Sequence, residues 1–164
     1  IADGLLSHAE KEAITAQAKR LMKAKIHIEA SYGLSIQDLR ARARMMTKRL
    51  ALKVIMVDYL QLITSTSKKA QQNRQAEVSE ASVGLKHLAH ELQIPIIALA
   101  QLNREADVAR PRASQLRDCG QIEQDADYIA LLCEPPDWAS QNDPEDCPWT
   151  YLGIDLVKNK DGAT

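Results

Sequence analysis

Two short aliphatic runs constrain this chain more than any other feature: "VIMV", inside "VIMVDYLQLI" at 54–63, and "IPIIALA", inside "IPIIALAQLN" at 94–103. Both are too short for buried helices and rich in β-branched residues. Because the apolar positions are unbroken rather than alternating, they predict strands of a parallel sheet covered on both faces. Between them, residues from about Glu77 to Leu92 place Val78, Leu85, Leu88, Ala89 and Leu92 at helical spacing. "ADYIALLCE" is a third buried strand, and "YLGIDLVKNK" alternates Leu152, Ile154 and Leu156 as a final one. Strands separated by helices of this length predict an α/β fold, a mostly parallel sheet flanked by helices.

Upstream, Ser7 with Glu10 three residues on opens a helix that runs to about Lys25. "KIHIEA" at 25–30 suits a short strand. Ser35 then caps a helix over Ile36 to about Leu50, with Ile36, Leu39, Ala43, Met46 and Leu50 on one face. The segments "TSTSKKAQQNRQ" and 103 to about 120 have the composition of long loops, the first with three basic residues and the second with four arginines. A chain of 164 residues that is 45% hydrophobic fits a single domain, 1–164. It begins at Ile1 and stops at "KDGAT", and so reads as an excised piece.

A net charge of −1 excludes a globally basic nucleic-acid binder, yet residues 1–53 hold eleven Lys or Arg against five Asp or Glu. The total charge therefore leaves room for local basic surfaces. Three cysteines without a C-x-x-C motif favour reduced thiols over disulfides or zinc. No apolar run is long enough to span a bilayer, so no membrane partner is expected and the default location is cytoplasmic.

In open parallel α/β sheets, ligands bind beyond the carboxyl ends of the strands, because helices occupy both faces. Asp58 and Gln101 end the two aliphatic runs at that place. An aspartate there suits Mg²⁺ beside nucleotide phosphates, directly or through water, and a glutamine there can sense a terminal phosphate or orient a water. Taken singly, each is more often a turn former or a surface residue. No G-x-x-x-x-G-K-[ST] phosphate cradle occurs in the chain. These residues alone leave nucleotide hydrolysis level with a plain binding module.

The combination of "VDYLQLI", "LKHLAHELQIPIIALAQLNREADVARPRASQLRDCGQIEQDADYIALL" and "VKNKDGAT" is more specific. It closely resembles the C-terminal RecA-like motor domain of the DnaB family of replicative DNA helicases, from about Leu34 to the end. The resemblance implies a part of an ATP-dependent 5′→3′ helicase with ATP and Mg²⁺ as cofactors, working as a homo-hexamer on single-stranded DNA, with primase and loader as further partners. It implies that Asp58 is the Walker B aspartate serving the metal and that Gln101 is the phosphate sensor. It places Arg117, Asp118 and Gly120 in a DNA-binding loop, and puts Lys158 and Lys160 where the family has a Lys-x-Arg pair that reaches a neighbouring subunit's ATP. Lysine at 160 departs from that pattern, because it cannot make arginine's forked contact. The family's P-loop and catalytic glutamate lie upstream of the matched segment, so the 164-residue chain is expected not to hydrolyse ATP.

Other candidates read more simply as structure. Glu123, Asp125 and Asp127 are expected to cap and steer entry into the next strand rather than hold a metal. Lys68, Lys69 and Arg74 are as readily solvated as DNA-facing. His87 and His90, three apart on a helix, lack a third ligand. The competing functions are an inactive helicase-like module that binds DNA or a partner, and a recombinase of the wider RecA group; "LRDCGQIEQDAD" argues against the latter.

Overall fold

A computed structural model describes residues 6–67, 70, 73–102, 112, 116, 120–133 and 152–162. The chain divides into two compact units, Ile1–Ser31 and Tyr32–Thr164. In the first, helix α1 spans His8–Lys23. Its start is the capping box read from sequence: the Ser7 hydroxyl accepts from the Glu10 amide at 3.3 Å, and the Ser7 amide donates to the Glu10 carboxylate at 2.8 Å. Ile14, Leu21 and Met22 are exposed. The strand expected at 25–30 does not form, and Ile26 and Ile28 are exposed. Alternation alone cannot make a strand; its backbone groups need a pairing neighbour, and among the described residues none pairs there.

The second unit opens with α2, Ile36–Leu50, bounded as the sequence predicted. Ser35 is the N-cap, accepting from the Asp38 amide at 3.1 Å, and Ala51 closes the helix in the left-handed region at φ 49°. Strand β1, Ile55–Val57, leads into a 3₁₀ turn over Leu60–Leu62. Helix α3, Arg74–Leu92, begins earlier than its apolar pattern suggests, because Asn73 caps it by accepting from the Gln75 amide at 2.9 Å. Strand β2, Ile96–Ala98, pairs in parallel with β1 in the register Ile55↔Ile96 to Val57↔Ala98.

The core lies between α2, α3 and these strands: Ile36, Leu60, Ile63, Val78, Ala81 and Leu85, with Leu39, Val57, Ile96, Ala100 and Ile122 packed against it. Gly84 lets α2 and α3 approach closely, since a Cβ there would collide with the Ile36 side chain. Arg44 on α2 grips Glu91 on α3 with a two-pronged contact, Nε at 2.6 Å and a terminal nitrogen at 2.8 Å. The segment after β1 is anchored at buried Ser65, whose hydroxyl donates to Glu80 on α3 at 2.5 Å.

Helix α4, Gly120–Asp125, precedes β3, Tyr128–Cys133, which pairs with β4, Gly153–Asn159. This pairing is antiparallel, with an irregularity between Ile129 and Ala130. The α/β class is as expected, with a parallel pair, β1–β2, and among the described residues a separate antiparallel pair, β3–β4. Among the described residues, helices cover one face of the β1–β2 pair. Val57, Ile96 and Ala100 pack toward the helices, whereas Met56, Ile97, Leu99, Leu132, Ile154 and Leu156 are exposed among the described residues. An unbroken apolar run specifies that both faces avoid water; it does not specify what covers the second one.

Candidate functional site

Asp58 stands directly after β1, and Gln101 lies three residues beyond β2. Because the strands are parallel, both fall at the same end of the pair. Both residues are exposed. The Asp58–Tyr59 peptide is cis. Pairing continues past the regular ladder: the Leu99 amide donates to the Val57 carbonyl at 2.9 Å and the Leu60 amide to the Leu99 carbonyl at 2.8 Å.

A residue that the sequence reading passed over joins the two strand ends. Gln61 is only 7% exposed. Its amide nitrogen donates to the Gln101 carbonyl and its amide oxygen accepts from the Gln101 N–H, both at 3.3 Å. The side chain thus satisfies both backbone groups of Gln101 and is itself satisfied, as a buried amide must be. The available signal was a lone polar residue inside the apolar stretch Leu60–Ile63.

Asp58 suits a hard cation as a single carboxylate. No cluster of three or more His, Cys, Asp or Glu able to hold a metal occurs among the described residues. Mg²⁺ commonly takes one or two carboxylates and completes its shell with water and substrate phosphates, so one exposed aspartate at a strand end fits that donor set.

Leu102, directly after Gln101, forms an antiparallel bridge with Leu116. Arg117 and Asp118 lie outside the described residues. Gly120 begins α4, is exposed, and would meet nothing within 4 Å if it carried a Cβ.

Lys158 and Lys160 make contacts within the chain. The Lys158 ammonium donates to the backbone carbonyls of Glu123 at 2.6 Å and Gln124 at 3.2 Å, at the C-terminal end of α4. Lys160 donates its amide to the Asp127 carbonyl at 3.0 Å, and its ammonium lies 3.6 Å from the Asp127 carboxylate. Lys86 on α3 meets the same carboxylate at 2.5 and 2.6 Å. The Lys86 hydrogen bond holds the Asp127 carboxyl below its ordinary value; desolvation opposes this, and the Lys86 and Lys160 charges reinforce it. Asp125 accepts from Ser82 at 2.8 Å and from Gln121 at 2.9 Å. Asp125 and Asp127 thus tie the junction between α4 and β3 to α3 and to Lys160.

A family description, the DnaB-like helicase C-terminal domain, matches residues 1–164. The chain belongs to the DnaB-like helicase family. It is 42% identical over 132 residues to the replicative DNA helicase DnaB of Leifsonia xyli subsp. xyli, covering 79% of this chain and 28% of that protein. Against the DnaB of Mycobacterium intracellulare it is 35% identical over 164 residues, covering 98% of this chain and 27% of the relative. The chain therefore spans less than a third of the length of these curated relatives. Among solved structures, a DnaB-like replicative helicase described with its interactions with primase superposes with a TM-score of 0.79 at 29% identity, covering 98% of this chain and 39% of the other. A second solved chain, described as an ATPase domain, gives 0.80 at 28% identity, covering 98% of this chain and 56% of that one. The fold is that of DnaB-like, RecA-like ATPase domains. Among the described residues, no helix is long and apolar enough to cross a membrane.

Proposed function

We propose that residues 1–164 form part of one RecA-like motor domain of an ATP-driven replicative helicase, a cytoplasmic hexameric ring that unwinds duplex DNA 5′→3′ while moving on single-stranded DNA, with primase and a loader as partners. The observation that carries this reading is the pair of parallel strand ends, where Gln61 ties the backbone of Gln101 beside Asp58 in a chain of the DnaB-like family.

In this reading Asp58 holds the nucleotide's Mg²⁺, which when bound supplies charge neutralisation at the phosphates. Gln101 faces the terminal phosphate, its backbone fixed by Gln61 so that the side chain presents its amide without a large ordering cost. Arg117 pairs with a phosphate of single-stranded DNA. Asp118 contributes through its backbone or a basic neighbour, and Gly120 lets backbone N–H groups approach a phosphate closely. Lys160, the more exposed of the C-terminal pair, reaches toward a neighbouring subunit's nucleotide, while Lys158, its ammonium engaged by the Glu123 and Gln124 carbonyls, supports it from within the chain. As a compact point charge, lysine gives less help there than arginine's fork. These 164 residues hold no G-x-x-x-x-G-K-[ST] phosphate cradle, so ATP turnover is not expected of them alone.

The test is a chimaera in which this chain replaces the matching segment of the Leifsonia xyli helicase. DNA-stimulated ATP turnover is expected, and Asp58→Asn should lower it by about a hundredfold or more, as removal of several kcal/mol of charge stabilisation implies. A folded, hexameric chimaera that turns over ATP equally well with Asn at this position would refute the assignment.

A further inference from the structure

Three charged side chains meet at the junction before β3. Lys86 projects from α3, its place on the helix fixed by its neighbours Leu85 and Leu88, which are buried. Asp127 stands directly before β3 and Lys160 directly after β4, and the pairing Tyr128↔Asn159 brings the two together. The Lys160 amide donates to the Asp127 carbonyl at 3.0 Å, so the two backbones are joined independently of their side chains.

The two lysines share the Asp127 carboxylate unequally. Lys86 meets both of its oxygens, at 2.6 and 2.5 Å. The Lys160 ammonium stays 3.6 Å away, longer than a good hydrogen bond, and its side chain is 61% exposed. Without Lys86 the carboxylate would draw Lys160 in, because the attraction between unit charges grows as their separation falls. With Lys86 in place that charge is already neutralised. We propose that Lys86 is a positioning residue for Lys160: by occupying Asp127, it keeps the Lys160 ammonium from being captured within its own subunit and leaves it able to reach a neighbouring subunit's nucleotide. This deepens the reading of Lys160 given above and rests on it. Lys158 does not take part, since its ammonium is engaged by the Glu123 and Gln124 carbonyls.

The test reads Lys160 in two settings. In the 164-residue chain, NMR relaxation should show the Lys160 ε-methylene to be mobile. Lys86→Met should order it, and Lys86→Met combined with Asp127→Asn should free it again. In the hexameric chimaera described above, Lys86→Met should lower kcat by roughly threefold, the scale of an exposed ion pair, with KM for ATP unchanged. The double variant should recover kcat, because no carboxylate remains to capture Lys160, and Lys86→Arg should keep it. A lysine that only braced the junction would give a double variant no better than Lys86→Met, and that outcome would overturn the proposal. Equal mobility of Lys160 with and without Lys86 would overturn it too. If Lys160→Ala lowers kcat and Lys86→Met does not, the positioning role alone fails. If neither lowers it, the reading of Lys160 fails, and the positioning role with it.

Discussion

The two faces of the strands differ sharply in what covers them. On the helix side, Val57, Ile96 and Ala100 close on a core that includes Ile36, Leu60, Val78 and Leu85. On the other side of the same pair, the register sets Met56 beside Ile97, and both are exposed among the described residues, as is Leu99. Both faces are apolar, so hydrophobicity does not distinguish them; the presence of α2 and α3 on one side does. Burial stabilises only where neighbouring atoms replace water, and the bare face therefore adds little to the stability of this chain on its own.

The largest effect that would sharpen this comparison is Leu88→Ala. Leu88 is 0% exposed, so the change should cost about 2–5 kcal/mol in urea unfolding. A cost near zero would mean that the helical layer is not the stabilising one. Next comes Gly84→Ala at the α2–α3 contact. Overpacking against Ile36 should cost about 1–3 kcal/mol, offset in part by roughly 1 kcal/mol of improved helix propensity. Net destabilisation is expected, and a rise in the unfolding midpoint would show that the helices can part without loss.

A smaller effect is expected at Asp127. Its carboxyl is held below the ordinary aspartate value, chiefly by the Lys86 hydrogen bond, so the folded state binds its proton less readily than the unfolded state does. The resulting stability is fully present above the unfolded value of about 3.9, and is lost as pH falls through the lower folded value. The carboxylate is well exposed, so Asp127→Asn should cost less than about 1 kcal/mol at neutral pH. The variant should also lose less stability than the unaltered chain on acidification below about pH 4, as read from urea midpoints. The smallest change should come from Met56→Lys on the exposed face of β1, within about 0.5 kcal/mol. A cost comparable to that of Leu88→Ala would show that the face is covered in solution and would erase the contrast.

Much of the fold was legible because its signals are local. Ser7 and Ser35 announce helix starts through bonds to amides three residues away. The aliphatic runs announce β1 and β2, and the polar residues that end them announce the candidate site. The reading failed where the outcome depended on a neighbour. "KIHIEA" has strand alternation but no pairing partner among the described residues, and Asn73 started α3 ahead of its apolar pattern.

The sequence by itself determined the helix caps, the α/β class, the family resemblance, and the placement of Asp58 and Gln101 after their strands. Tertiary structure decided what surrounds them. It gave β3 and β4 an antiparallel pairing and, among the described residues, packed helices against one face of the β1–β2 pair. It brought Gln61 onto Gln101, 40 residues away, and Lys158 onto the end of α4, 35 residues away. Caps and apolar runs depend on residues within a turn or two. A buried amide clasp and a helix clamp depend on chain segments that only packing brings together.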